Sequence, residues 1–340
     1  MMIYNLLLLF IIFISSIEFL KKKKSLSLFV PIVILLITIT ALRGNGGSDF
    51  IVYEKYFQSL PNELYNYGYG YLFLNKFTAY FGDYHLLIII TSVISISLQS
   101  IYIYKETRYP SITFLILYST SFILLNFILI RQAIAIGFIL LSFLFYKKEK
   151  NVPSLLFAII AITFHETAIF VLLLFIAIEK SPKVISYIFI ISIIMAVPFF
   201  KDIILLVNEL TINNKNLLGY INEKSLPSSA NLIEVSLAII CYIILKNRKI
   251  FSNERECHIY YSIIVSSIII LILSYSIQPL ARFLEYYRII FFILYIKLFE
   301  HLNNNSKIIF FIMLLLYCIA RLNSFIIQYD NGFEYIFYGI

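Results

Sequence analysis

The stretch PSITFLILYSTSFILLNFILIRQAIAIGFILLSFLFY, residues 110–146, holds one charged side chain, Arg131, in 37 positions. As one continuous helix it would be about 54 Å long at 1.5 Å per residue. The hydrocarbon core of a bilayer is about 30 Å thick and takes about 20 residues per crossing. The stretch therefore reads as two crossings, 110–129 and 132–146, with Arg131 and Gln132 at the outer end of the pair.

Working outward, apolar segments of similar kind fall at 2–20, 25–42, 85–103, 152–164, 167–179, 184–200, 232–246, 257–276, 286–299 and 308–326. The 152–179 stretch is long for one span and short for two, and His165 and Glu166 sit at its middle. The whole chain agrees with this pattern. Of its 340 residues 61% are hydrophobic and only 14% charged, far below the roughly 25% of a soluble domain. That composition excludes an ordinary soluble protein, and the abundance of Ile, Leu, Phe and Tyr excludes disorder. The expectation is an all-α integral membrane protein of about twelve transmembrane helices, a single polytopic domain over 1–340, with outer-face loops at about 43–84, 201–231 and 277–285 that carry short helices.

The formal charge of +8 would suit nucleic acid in another setting, but in an apolar chain it is the signature of membrane orientation. With Lys21 to Lys24 placed inside, twelve crossings bring 17 of the 27 basic residues to the same face, among them Lys105, Arg108, Lys147, Lys180, Lys246 and Lys297. Both termini then face outward. The first span has no basic segment before it and no small-residue cleavage site, so it reads as a retained helix rather than a removable signal. Cys241, Cys257 and Cys318 are too scattered for a disulfide framework or a metal site.

Function on such a scaffold is expected on its loops. The first outer loop opens Arg43-Gly44-Asn45-Gly46-Gly47-Ser48-Asp49-Phe50-Ile51-Val52-Tyr53. Its glycines allow positive φ, and Ser48 is suited to cap a helix on which Asp49, Tyr53 and Tyr56 share one face. Arg43 is placed either to meet a phosphate or simply to reach the lipid headgroups. Eight tyrosines (53, 56, 65, 67, 69, 71, 80 and 84) lie within 50–84. They suit either stacking on sugar rings or an aromatic belt at headgroup depth. Arg131 is a lone cation in apolar surroundings, a position that usually faces the bundle interior and marks function. A bound phosphate or carboxylate would satisfy its rigid fork. His165 is the one histidine inside an apolar stretch, where it is either a satisfied structural residue or a base titrating near neutrality. Glu285 stands three residues from both Arg282 and Arg288 and can pair fully with only one. Arg321 is a further cation inside the last span. No phosphate-binding glycine loop, zinc-protease motif or acidic cluster with metal-ligand spacing is present, which argues against nucleotide-driven transport and metalloprotease chemistry.

The order Arg43…Gly47-Ser48-Asp49…Tyr53, Ile130-Arg131-Gln132-Ala133-Ile134-Ala135, Phe164-His165-Glu166-Thr167-Ala168, then Arg282 with Tyr286, resembles the EpsG family, Wzy-type polymerases of bacterial capsule, exopolysaccharide and O-antigen pathways. The resemblance spans about 3–338. Two departures stand out: the turn Gly44-Asn45-Gly46-Gly47 is expanded, and an acidic residue expected around Tyr67-Gly68-Tyr69-Gly70 is absent. The resemblance implies a GT-C-like membrane glycosyltransferase of a bacterial cytoplasmic membrane, acting at its extracytoplasmic face on an undecaprenyl-pyrophosphate-linked oligosaccharide. It implies no cofactor and no metal. Besides the lipid bilayer, partners would be a flippase and a chain-length regulator, and nucleic acid is not expected. Arg43, Arg131 and Arg282, with Arg288 or Arg321, would hold the pyrophosphate. His165 would be the base, with Asp49 its alternative, and Tyr53, Tyr56 and Tyr286 would contact sugar. The rivals are a transporter or flippase for lipid-linked oligosaccharides, which should show inverted halves, and a membrane O-acyltransferase.

Overall fold

The computed structural model describes residues 2–44, 47, 49–60, 67–180, 228–276, 278–328 and 335–338. Ser48, Tyr65, the expected span 184–200 and most of the loop 201–231 lie outside the described residues. Within them the chain is helical: α1 (Met2–Lys21), α2 (Leu26–Ala41), α3 (Phe50–Ser59), α4 (Tyr69–Phe81), α5 (Tyr84–Glu106), α6 (Pro110–Leu117), α7 (Ile130–Lys147), α8 (Asn151–Phe164), α9 (Ala168–Lys180), α10 (Ser229–Asn247), α11 (Glu254–Ser276), α12 (Glu285–Glu300) and α13 (Asn304–Gln328). A 3-10 segment, Gln278–Leu284, precedes α12. Among the described residues the sole β-type pairing is an isolated bridge between Arg43 and Phe337. Six helices, α1, α5, α7, α10, α11 and α13, are long and apolar enough to cross a bilayer on length and composition, and α2 and α8 are apolar but shorter. Leu9, Phe13, Ile34, Leu155, Ile309, Met313 and Leu316 stand exposed along such helices, as lipid-facing residues should. The chain is a multi-pass membrane protein.

The helices form two compact units, Met1–Ala168 with Ile296–Ile340, and Ile169–Tyr295. In the first unit the long apolar stretch divides as its length demands. Pro110 opens α6 at a position where a missing N–H costs nothing, and the buried Glu18 carboxylate of α1 accepts the next two N–H groups, from Ser111 at 2.9 Å and Ile112 at 3.3 Å. The helix then loosens into two π-helical turns, Tyr118–Phe122 and Leu124–Ile128. At Leu129 (φ −91°, ψ 45°) it breaks, and the Leu129 carbonyl accepts from Ala133 at 2.8 Å to start α7.

Helix α7 is the buried spine of this unit. It lies against α5 and α8, and a Cβ on Gly137 would stand 2.7 Å from the Leu98 Cβ of α5, a separation no larger residue tolerates. Lys147 at the end of α7 pairs with Glu106 at the end of α5 at 2.6 Å, so the two helices run parallel. Ser142 donating to the Ser154 carbonyl at 2.8 Å, and Phe138 stacked on Phe164, make α8 antiparallel to α7. Phe29 stacked on Tyr104 does the same for α2 and α5. Lys24, over the Tyr104 ring, and Arg108, bonded to Glu300 and Lys22, gather at the same end as Lys147. The opposite end carries Arg43 and His165, just past the ends of α2 and α8, Asp83, just before α5, and Arg131, the second residue of α7. The lysine-rich turns are thus sorted to one end of the unit and Arg43, Arg131 and His165 to the other.

The second unit holds α9 but for its first residue, α10, α11, the 3-10 segment and most of α12. Helix α11 begins with a reciprocal cap: Asn253 accepts from the Glu256 N–H at 2.7 Å, and Glu256 accepts from the Ser252 N–H at 2.9 Å. Tyr295 donates to the Glu234 carbonyl at 2.6 Å and ties α12 to α10.

Candidate functional site

Arg43 follows the last turn of α2 and is 2% exposed. Its backbone is fixed by the bridge to Phe337, by Gly44 donating to Ile336 at 2.7 Å, and by Tyr338 donating to Leu42 at 2.9 Å. Its guanidinium lies 4.7 Å from the centre of the Phe127 ring. Tyr84, Tyr4, Tyr71 and Tyr53 surround it electrostatically. Its Nε and Nη1 are buried without a hydrogen-bond partner, and no described carboxylate pairs with it. Burial pulls its pKa down to about 10, so it keeps its charge at neutral pH. A cation held in this way costs folding on the order of several kcal/mol.

Arg131 is the second residue of α7. Its Nη1 donates to the Tyr67 carbonyl at 2.9 Å, and its guanidinium carbon lies 4.4 Å from the Tyr67 ring centre, 5.8 Å from Tyr53 and 5.9 Å from Tyr71. Its Nε is buried and without a partner. Tyr53 and Tyr71 therefore neighbour both arginines, and the two cations share one tyrosine cage. Burial pushes both hydroxyls above the ordinary phenol value, so they remain neutral O–H groups.

The tyrosine run of 50–84 splits by depth. Tyr53, Tyr56, Tyr71 and Tyr84 are at most 6% exposed, whereas Tyr69 and Tyr80 are 74% and 84% exposed beside Phe73, Phe77 and Phe81 on the outer face of α4. The first set forms the cage and the second a belt suited to headgroup depth. Tyr56 packs edge-on to Tyr67 at 4.5 Å and stacks on Tyr71, and Tyr53 meets Tyr71 at 5.7 Å. Ring packing of this kind leaves little of Tyr53 and Tyr56 exposed for a sugar to stack on, and Tyr53 lies beside both arginines. Tyr286, in the second unit, is fully buried as well.

His165 ends α8 in an extended conformation (φ −151°, ψ 111°), half-buried, its Nδ1 2.5 Å from Thr167 Oγ1. It lies next to the Arg131 site through one turn of chain. Gly68, at φ 89°, packs so tightly on this helix end that a Cβ there would stand 2.6 Å from the Thr163 carbonyl, and it follows directly on Tyr67, whose carbonyl holds Arg131. Phe164 packs on the cluster that contains Tyr53, Tyr56, Tyr71 and Ile130. Asp49 sits half-buried at the start of α3, where its side chain makes no cap, and acts electrostatically on Tyr53. Arg43, Arg131, His165 and Asp49 are thus neighbours of one aromatic cluster within one unit.

Arg288 stands differently. It is 4% exposed, with Nε 2.7 Å from Glu234, a bond to Glu285 and Nη2 2.6 Å from Asn231. Glu285 thus takes Arg288, and a guanidinium held between two carboxylates is ill suited to receive a pyrophosphate. Arg282, on the exposed side of the 3-10 segment, also belongs to the second unit. Arg321 is half-buried on α13, which packs against the π-helical stretch. Sequence reading missed Tyr4, Phe127 and Tyr335 beside Arg43, and Glu234 beside Arg288, because these contacts join distant segments and leave no spacing signal. Among the described residues no group of three or more His, Cys, Asp or Glu is placed to hold a metal ion. Cys241 and Cys318 are buried and Cys257 half-buried, all as free thiols.

No curated protein and no solved structure matches this chain. The model of the EpsG family matches residues 26–338, nearly the whole chain and every described residue of the arginine cage except Tyr4, and the chain belongs to the EpsG family.

Proposed function

We propose that the protein polymerises oligosaccharide repeat units linked through pyrophosphate to undecaprenol, as a Wzy-type glycosyltransferase of twelve crossings at the outer face of a bacterial cytoplasmic membrane. The observation that carries this reading is the pair of Arg43, buried, and Arg131, half-buried, in one tyrosine cage, each with a buried Nε unused and with no described carboxylate between them. A protein does not keep two such charges for stability. An anionic ligand with more than one oxygen-rich group, such as a diphosphate, supplies what both lack.

In the reaction, an acceptor sugar hydroxyl attacks the anomeric carbon of the donor, the bond to the pyrophosphate oxygen breaks, and undecaprenyl pyrophosphate leaves with the electron pair. Arg43 and Arg131 stabilise the charge that grows on the leaving group, and the Tyr53 and Tyr71 hydroxyls offer neutral donors beside them. His165 takes the proton from the attacking hydroxyl. In the tautomer whose Nδ1–H donates to Thr167, Nε2 is the basic nitrogen, with Asp49 the alternative base.

The test is polymer length in a strain whose own copy is deleted. Arg131→Ala and His165→Ala, inserted at wild-type levels, should leave single repeat units on the lipid carrier outside the membrane. Full-length polymer from either variant removes that residue from the mechanism, and repeat units retained on the inner leaflet of the deletion strain would point to a flippase instead.

A further inference from the structure

The α3–α5 corner of the first unit holds a cavity of about 230 Å³ that the arginine cage does not use. Its walls are Glu54, Phe57, Gln58, Asp83, His85 and Tyr338, with Phe50 and Tyr84 at its back. Tyr84 is the partition: one side faces this cleft, and the other belongs to the surroundings of Arg43. The chemistry of the two compartments is opposite. The cage is cationic, whereas the cleft is lined by two carboxylates and one amide and by no lysine or arginine. Phosphate is repelled from such a lining.

Its polar groups are set in advance. Tyr338 donates to Asp83 at 2.8 Å, and the other Asp83 oxygen accepts from the Leu86 N–H at 3.2 Å. The Tyr338 ring lies flat on His85, with centroids 3.5 Å apart and planes 9° from parallel, and the ring is half exposed. Glu54 and Gln58 stand one turn apart on α3 and so share a face. Flat aromatic surface beside planar carboxylate and amide groups complements a pyranose, whose ring carbons offer an apolar face and whose hydroxyls offer donors and acceptors at the rim. The volume falls below the roughly 300 Å³ of the smallest drug-sized sites, which limits the occupant to about one ring.

We infer that this cleft is a subsite for one uncharged sugar ring of the glycan, with the carbohydrate end at Glu54, Asp83 and Tyr338 and the pyrophosphate end at the arginines beyond Tyr84. The inference rests on the polymerase reading and adds to it the neutrality of the sugar that is bound.

The test uses the detergent-purified full chain and, as probe, the oligosaccharide released from the host's own polymer by partial acid hydrolysis, observed by saturation-transfer NMR. Wild-type protein should transfer saturation to one sugar of the probe. Glu54→Gln, which keeps the shape of the side chain, and Tyr338→Ala should each weaken binding about tenfold, the loss of one charge-assisted bond or one stacking face. Arg131→Ala should bind the probe as wild type does while making no polymer. Absence of transfer in wild type, or unchanged affinity in both cleft variants, overturns the subsite and leaves the polymerase reading standing. Binding lost in the cleft variants together with normal polymer in the deletion strain retains the subsite and overturns the polymerase.

Discussion

Two arginines, Arg43 and Arg288, are almost equally buried but stand in opposite surroundings. Arg288 lies between Glu234 and Glu285, so its charge is answered from within the chain. Arg288→Ala would strand two buried carboxylates and should cost about 3–5 kcal/mol of stability, seen as a fall in unfolding temperature of the purified protein. Arg43 has tyrosines and a phenylalanine around it instead. Its folded pKa lies below that of a free guanidinium, so the folded chain binds this proton less tightly than the unfolded one. The penalty is therefore fully present below about pH 10, across the physiological range. Arg43→Met, similar in volume and neutral, should fold as well as wild type or better, and should make no polymer. A large loss of stability in that variant, read in the same melt, would mean that the charge is structural. Arg131 and His165 stand out in the sequence because each interrupts an apolar run, and Arg43 because it closes one. The difference between Arg43 and Arg288 was not, since Glu234 lies 54 positions from its partner.

At the scale of the element, length arithmetic correctly divided 110–146, and the structure puts the break at Leu129, two residues before Arg131. The π-helical turns that precede it carry no signature in the sequence. They arise where Asn126, bonded to Ser95 at 2.8 Å, and Ser119 and Thr120 turn their polar groups onto the helix itself. The ambiguous stretch 152–179 proves to be two helices, because His165 takes an extended conformation between them. Packing of α5 on α7 relies on Gly137, and Gly137→Val should destabilise the protein by about 1–3 kcal/mol through overpacking, measurable as a lower unfolding temperature with no change in which sugars are joined. The segment 335–338 is docked in part by the Tyr338 bond to Asp83, which holds that carboxyl below its ordinary value of 3.8. A depressed carboxylate stabilises above its ordinary pKa and loses the contribution as the pH falls through the folded value. Hydrogen exchange at the Tyr338 amide should accordingly be faster in Tyr338→Phe than in wild type at pH 7, and the difference should vanish in strong acid. Equal exchange at pH 7 would mean that the bond does not hold the segment.

Across the whole chain, composition established a multi-pass membrane protein, and the order of short motifs pointed to the EpsG family that the match over 26–338 shows. What composition does not encode is depth: eight tyrosines in one loop read alike, yet Tyr53 and Tyr71 turn inward beside two cations whereas Tyr69 and Tyr80 stand exposed. That sorting depends on α3 and α4 folding back over the ends of α5 and α7. The central claim is that Arg43 and Arg131 together form a pyrophosphate site. The most direct measurement is the unfolding temperature of the purified full chain titrated with inorganic pyrophosphate. Wild type should be stabilised progressively, by about 2.7 kcal/mol at a hundredfold excess over the dissociation constant, and Arg43→Met and Arg131→Met should show no shift. A wild-type protein indifferent to pyrophosphate, or variants that respond as it does, would contradict the account.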